Sequence, residues 1–267
     1  MKRTCFTIIE VTVVIAIIAL LIAITVPTLR SSRLQAKTVL CSSNIRQLQI
    51  GLSIYESENQ TFPAGFFNNP GLKSPPGGYA GKLEYDRTGW WWFNFLEGFY
   101  KKYQGQKTVI LCPSKLLNDS KLESDVLCGN YGVNHSICKS SDDRQPLREE
   151  FVGVPLSADS VTKPAKTLLI LDSGYSLISW WNATSEPPVS LNSKIIEDTS
   201  YVPGLSINKK KSFWPGQEDD AINGRHPEKT VNAGFIDDHL ERLKAESLLV
   251  EKEGEIYKNK SLLWQPK

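Results

Sequence analysis

Phe6-Thr7-Ile8-Ile9-Glu10-Val11-Thr12-Val13-Val14-Ile15-Ala16-Ile17-Ile18-Ala19-Leu20-Leu21-Ile22-Ala23-Ile24-Thr25-Val26-Pro27 is the stretch on which the fold turns. From Val11 to Val26 it holds no charge, no glycine and no proline. Phe6 to Val26 is 21 residues, about 32 Å of helix, enough to cross a hydrocarbon core. The chain has no second run of this kind, so the expectation is a single span over residues 6–28. Lys2-Arg3 before it suit a cytoplasmic N-terminus, but Arg30, Arg33 and Lys37 follow it, and charge alone leaves the orientation open. A cleaved secretory signal would end in a small-x-small site, which Ile24-Thr25-Val26-Pro27-Thr28 is not. A lipoprotein signal fails because no apolar run precedes Cys5. Neither alternative accounts for Glu10. An unpaired carboxylate near the end of a span costs about 2–3 kcal/mol and by default marks function.

Downstream of the span, Ile45, Leu48, Leu52 and Tyr55 recur at helical spacing, with Arg46, Gln47, Gln49 and Ser53 assigned to other faces. This predicts an amphipathic continuation over residues 29–58 that packs on a globular head of residues 59–267. A Pro/Gly-rich loop follows, from Pro63 to Gly81. Short extended runs then recur at Thr108–Leu111, Thr167–Leu171 and Val231–Ile236, between loops rich in Pro, Ser, Asn and Asp. One long helix followed by strands predicts an α+β fold with an antiparallel sheet. Trp90-Trp91-Trp92-Phe93-Asn94-Phe95 reads first as core packing, and otherwise as a glycan-stacking or subunit-contact surface.

Composition bounds the rest. With 40 % apolar and 22 % charged residues in a chain of 267, a packed core is expected and wholesale disorder is not. The 31 basic residues are balanced by 29 acidic ones. No basic stripe marks a nucleic-acid partner, and Lys209-Lys210-Lys211 reads as a solvated loop.

The quoted N-terminal stretch resembles the start of type IV pilins and type II secretion pseudopilins. The resemblance implies a leader, residues 1–5, removed by a prepilin peptidase between Cys5 and Phe6, with methylation of the new Phe6 amine. It makes Glu10 the fifth mature residue, paired with the Phe6 amine of a neighbouring subunit, and Pro27 a helix-bending proline. The family usually has Gly before the cut, where this chain has Cys5. The implied partners are the peptidase, other pilin-like subunits and the membrane. The implied place is the inner, cytoplasmic membrane, crossed once, with the head outside the cytoplasm or carried into a periplasmic or extracellular filament.

Further blocks sharpen this. Cys41-Ser42-Ser43-Asn44-Ile45-Arg46-Gln47-Leu48, Cys112-Pro113-Ser114, Tyr131-Gly132-Val133-Asn134 and Pro164-Ala165-Lys166-Thr167 are similar to blocks of the prepilin-type proteins that carry a C-terminal H-x9-D-G motif. Here the motif region runs from Arg225-His226-Pro227 through Asn232 to Asp237-Asp238-His239. Ten residues rather than nine separate His226 from Asp237, and Asp238 stands where Gly is usual.

This region reads as a structural hairpin turning at Asp237-Asp238, with His226 bonded locally, rather than as a metal or catalytic site. His226 with Asp237, Asp238 and His239 offers metal-ligand types, but a site needs converging ligands, and a tight turn at Asp237-Asp238-His239 points neighbouring side chains apart. No phosphate loop, nucleophile elbow or H-E-x-x-H is present, so the chain is read as a non-enzyme without a cofactor. By analogy with some pseudopilins, Glu218-Asp219-Asp220 is a candidate Ca²⁺ loop, although a bare acidic run is ordinarily solvated.

Removal of Cys5 leaves four cysteines, which allow three disulfide connectivities. Because Cys41 and Cys112 lie in family-like blocks and the other two do not, the resemblance favours Cys41–Cys112 and Cys128–Cys138 over four buried thiols. The leading expectation is thus a pilin or pseudopilin-like structural subunit. The alternatives are an anchored binding protein with an aromatic head and an anchored metal-dependent hydrolase.

Overall fold

A computed structural model describes residues 7–68, 89–96, 109–141, 149–188 and 200–266. Cys5 and Phe6 lie outside them, as do Thr108 and most of the Pro/Gly-rich loop. Helix α1, Ile8–Asn59, is continuous over 52 residues, about 78 Å. Its first half is long and apolar enough to cross a membrane by length and composition, and it buries nothing in the protein. Thr7 caps it: its hydroxyl accepts from Glu10 N (3.3 Å), and its own N–H donates to Glu10 Oε2 (2.7 Å). Pro27 sits inside the helix without ending it. Threonine hydroxyls occupy carbonyls around it, Thr25 on Ile22 O (3.3 Å) and Thr28 on Thr25 O (2.8 Å), which suits a proline in an apolar surrounding. Gln60 ends the helix in the left-handed conformation, φ 63°.

Among the described residues, nine short strands and two short α-helices complete a core whose centre is a five-stranded sheet. The strands outside it pair as two small ribbons: β1 (Phe66–Phe67) with β2 (Trp90–Trp91), and β8 (Val250–Glu253) with β9 (Ile256–Asn259). The central sheet contains β3 (Tyr131–Asn134), β4 (Leu168–Asp172), β5 (Leu177–Ile178), β6 (Thr230–Phe235) and β7 (Leu240–Lys244), in the order β5-β3-β4-β6-β7. Every pairing in it is antiparallel except β3 with β5, which is parallel. The short helices are α2 (Ser120–Ser124) and α3 (Glu218–Asn223). The fold is therefore α+β with a long N-terminal helix and mostly antiparallel open sheets.

The lower part of α1 lies across β4, β6 and β7. Cys41, Ile45, Leu48 and Leu52 enter one apolar cluster with Tyr131, Val133, Ile170, Trp91 and Trp92. A second cluster forms around Leu171, Val231, Phe235, Trp181 and Trp264. Trp91 and Trp92 are both fully buried, so the aromatic run is core, and no glycan-stacking face remains on those two rings. Gln49, assigned to an outer face from spacing alone, is fully buried as well. A Cβ on Gly234 would lie 3.0 Å from its side chain, so a glycine in β6 is what lets the helix come this close.

Three sequence expectations are corrected here. Val109 to Leu111 form a turn rather than a strand, because Cys112 N donates to the side chain of Asn130 (2.9 Å) instead of to a neighbouring strand. Lys211 is half-buried with its ammonium on Asn182 O (2.6 Å), and burial lowers it to about 8. His226 bonds across the fold, as described below.

The β6–β7 hairpin matches its expected position. Asp238 takes the left-handed conformation, φ 68°, which a glycine would take without cost and which Asp tolerates better than most residues. Its side chain has a use that glycine could not supply. Ser53 of α1 donates to Asp238 Oδ1 and Arg46 to Asp238 O, while Gln49 Nε2 donates to Phe235 O (2.7 Å) and His239 O (3.0 Å). The helix thus holds the turn at both ends. Phe235 is fully buried beneath the His239 ring, which stacks on it at 4.1 Å and is itself partly exposed. Phe235→Ala is expected to cost about 3–5 kcal/mol and His239→Ala about 1 kcal/mol, the worth of one stacked ring. Thermal melts of the detergent-extracted chain measure the ranking, and equal losses would contradict it.

Candidate functional site

Polar residues from five parts of the chain meet where α1 crosses the sheet. The helix supplies Thr38 and Cys41. The turn after Leu111 supplies Cys112, and the end of β4 supplies Asp172. Arg225 and His226 arrive on the segment after α3, and Asn232 on β6. All of these side chains are buried. Asn130 helps to build the place: its Oδ1 receives Cys112 N, while its Nδ2 donates to Val126 O (2.9 Å) and Cys128 O (3.0 Å).

Asp172 is the hub. Its Oδ2 accepts from Asn232 N (2.7 Å) and Asn232 Nδ2 (3.1 Å), and His226 Nε2 lies 3.0 Å from it. Its Oδ1 is buried and has no hydrogen-bond partner. On the other side of the imidazole, Nδ1 lies 3.1 Å from Thr38 Oγ1. The Thr38 hydroxyl donates to Leu34 O (2.9 Å), so its oxygen accepts and Nδ1 carries the proton. Burial disfavours charge on His226, but the Asp172 carboxylate and the contact with Cys112 outweigh it and raise the ring to about 9. Burial likewise opposes ionisation of Asp172, and the His226 and Arg225 charges reverse that, holding it below the ordinary value.

Beside the hub, Cys41 Sγ and Cys112 Sγ approach to 2.7 Å. Among the described residues no disulfide is formed. The expected Cys41–Cys112 neighbours are brought together as thiols. The expected Cys128–Cys138 bond is not present: both residues are buried, Cys128 bridging to Tyr175 and Cys138 donating its N–H to Asn134 O (2.8 Å).

Behind His226, Arg225 is fully committed. It donates to Gly129 O (2.7 Å), Asn130 O (2.9 Å) and Ser173 O (3.0 Å), and forms a buried ion pair with Asp220, which also accepts from Tyr201. This separates the acidic run proposed for Ca²⁺. Asp220 faces Arg225 in the interior, Asp219 accepts from Asn223 (2.6 Å), and Glu218 accepts from Gly216 N (3.0 Å).

The residues grouped from sequence around His226 are therefore split. Asn232 joins it. Asp237 and His239 pair with each other at the hairpin turn (2.5 Å), and Asp238 meets Ser53. Sequence reasoning missed Asp172, Thr38 and Arg225, and missed that Cys41 and Cys112 belong beside His226. An isolated Asp closing an apolar strand, Leu168-Leu169-Ile170-Leu171-Asp172, was the available signal, since a carboxylate there must meet a partner in the interior. It also missed a local partner for Glu10, although Thr7-x-x-Glu10 has the spacing of a capping box.

No family model, curated protein or solved structure matches this chain.

Removing one member of a buried ion pair strands the other. Asp220→Ala is accordingly expected to cost about 3–5 kcal/mol, with Asp220→Asn falling between it and the parent. Denaturant titration of the full chain measures both, and a change under about 1 kcal/mol for the alanine variant would show that the pair is not what holds Arg225.

Proposed function

We propose that the chain is a pilin or pseudopilin-like structural subunit, cut before Phe6 and assembled through its N-terminal helix into a type IV pilus-like or type II secretion-like filament. One observation carries the reading. A single helix runs unbroken from a membrane-compatible apolar half into a half that forms one wall of an α+β head, so a force or register set in the membrane is passed to the head through a rigid rod. The N-terminal resemblance at residues 6–19 supplies the processing site. In this reading the head stands outside the cytoplasm and no chemistry is performed.

The apolar side chains that α1 leaves exposed beyond the span support lateral packing. Leu34, Val39, Leu40, Ile50 and Ile54 are all uncovered in the single chain, and a bundle of such helices would cover them. Glu10 has two roles here. In the lone chain its carboxylate closes the capping box with Thr7. In the assembly it meets the Phe6 amine of a neighbour, an arrangement that satisfies two charges that are each costly in lipid.

The reading makes paired demands. The mature chain is expected to begin at Phe6 with a methylated amine, read by mass spectrometry of membrane-extracted protein. Glu10→Ala is expected to insert normally but to lose most crosslinkable assemblies. A membrane form that keeps Met1 beside an active prepilin peptidase, or crosslinked ladders unchanged by the substitution, would overturn it.

A further inference from the structure

We infer that Cys41, Cys112, Asp172 and His226 form a closed structural metal site, selective for Zn²⁺, that fastens the assembly helix to the head. The inference concerns the head's own architecture and stands whether or not the chain assembles into a filament.

The four side chains each offer a ligand atom, and those atoms lie within 4.8 Å of one another in the interior. Exposure is 0 % for Cys41 and Asp172, 4 % for His226 and 5 % for Cys112. Two sulfurs, an imidazole nitrogen and a carboxylate oxygen make a mixed soft and borderline set, which suits tetrahedral Zn²⁺ rather than Ca²⁺ or Mg²⁺. His226 Nε2 lies 3.0 Å from Asp172 Oδ2, so the imidazole and the carboxylate already stand side by side in the cluster.

The surroundings are those of a metal's outer shell. His226 Nδ1–H is held by Thr38 Oγ1, whose own proton is held by Leu34 O. That chain fixes the tautomer and turns Nε2 inward, as the hydrogen-bonded imidazoles of metal sites are turned. Asn232 donates twice to Asp172 Oδ2 and orients the carboxylate. Asp172 Oδ1 is the independent sign: a buried carboxylate oxygen with no donor is an expensive arrangement for a protein group alone. A cation at the centre of the four residues supplies the missing interaction.

A Cys41–Cys112 disulfide is the competing fate of the two sulfurs, and it would leave Oδ1 as it is. Metal uptake parts the sulfurs by about 1 Å, to the spacing of two thiolates on one tetrahedral ion. The step balances as M²⁺ entering while the two thiol protons and any proton on Nε2 leave. Four protein ligands fill the coordination shell, so the ion has no open position for a substrate and its role is to hold structure. Cys41 comes from α1 and the other three ligands from the head, so the ion joins the two.

The test is elemental analysis and native mass spectrometry of the full chain, extracted in detergent without chelator or reductant. One zinc per chain is expected, with Co²⁺ replacing it to give a thiolate charge-transfer band. Cys112→Ser is expected to abolish the band, and Asn232→Ala, which leaves every ligand in place, to weaken zinc about tenfold. Because Cys112→Ser could fail to fold, the wild-type metal content and the Asn232→Ala affinity decide independently of it. A Cys41–Cys112 disulfide-linked peptide from the purified chain would overturn the inference. So would free thiols that bind neither added Zn²⁺ nor Co²⁺. Loss of processing or assembly with zinc still bound would instead count against the filament reading alone.

Discussion

The structure depends on one helix whose halves differ, the first apolar all round and the second amphipathic. The first half of α1 exposes Ile, Val and Leu on every side, as suits a helix in an apolar surrounding. The second half presents a single stripe, Thr38, Cys41, Ile45, Leu48, Gln49 and Leu52, to the sheet. No loop or cap separates the halves, because Pro27 is absorbed by neighbouring threonines rather than used as a break. The head therefore has no freedom to choose its orientation independently of the span. Whatever fixes α1 on the sheet fixes the head relative to the apolar half of the helix.

What fixes it is unusually polar. An apolar stripe alone fixes which face a helix presents but specifies poorly its position along that face, because Ile and Leu are similar in volume and partly interchangeable. Gln49 on two hairpin carbonyls, Arg46 and Ser53 on Asp238, and Thr38 on His226 have single solutions. A shift of one position would leave buried Gln49 and Thr38 without these partners, at about 1–3 kcal/mol apiece. The polar contacts contribute registry, and the apolar clusters contribute most of the stability.

Much of this architecture was legible in the chain. The span, the amphipathic continuation, strand β4 and the β6–β7 hairpin follow from local pattern, and local pattern is what a sequence displays. The left-handed turn at Asp238 was open in the sequence, because Gly is usual there and Asp only tolerates that conformation. The site was legible only in pieces. His226 and Asn232 are close in the chain and were grouped, whereas Asp172 and Thr38 are 54 and 188 residues from His226 and no periodicity joins them. Gln49 was misassigned because a buried amide looks like a surface one until the carbonyls it meets are known. Val109 to Leu111 carry the composition of a strand, and a side-chain bond from Asn130 overrode it.

The capping box at Thr7 and Glu10 changes how the membrane half should be understood. A carboxylate placed in a span is ordinarily costly until a partner arrives. Here the carboxylate accepts from the Thr7 N–H and hydroxyl within its own helix, so the single chain supplies its own donors to that charge. Assembly in the proposed filament then exchanges this local neutral donor set for the charged amine of a neighbour. The Thr7 bonds already have an ionised acceptor and are charge-assisted, so the exchange replaces one satisfied arrangement of the carboxylate by another. A subunit that had no local partner for Glu10 would be driven into any available contact. One that closes its own cap can be stored, added and withdrawn.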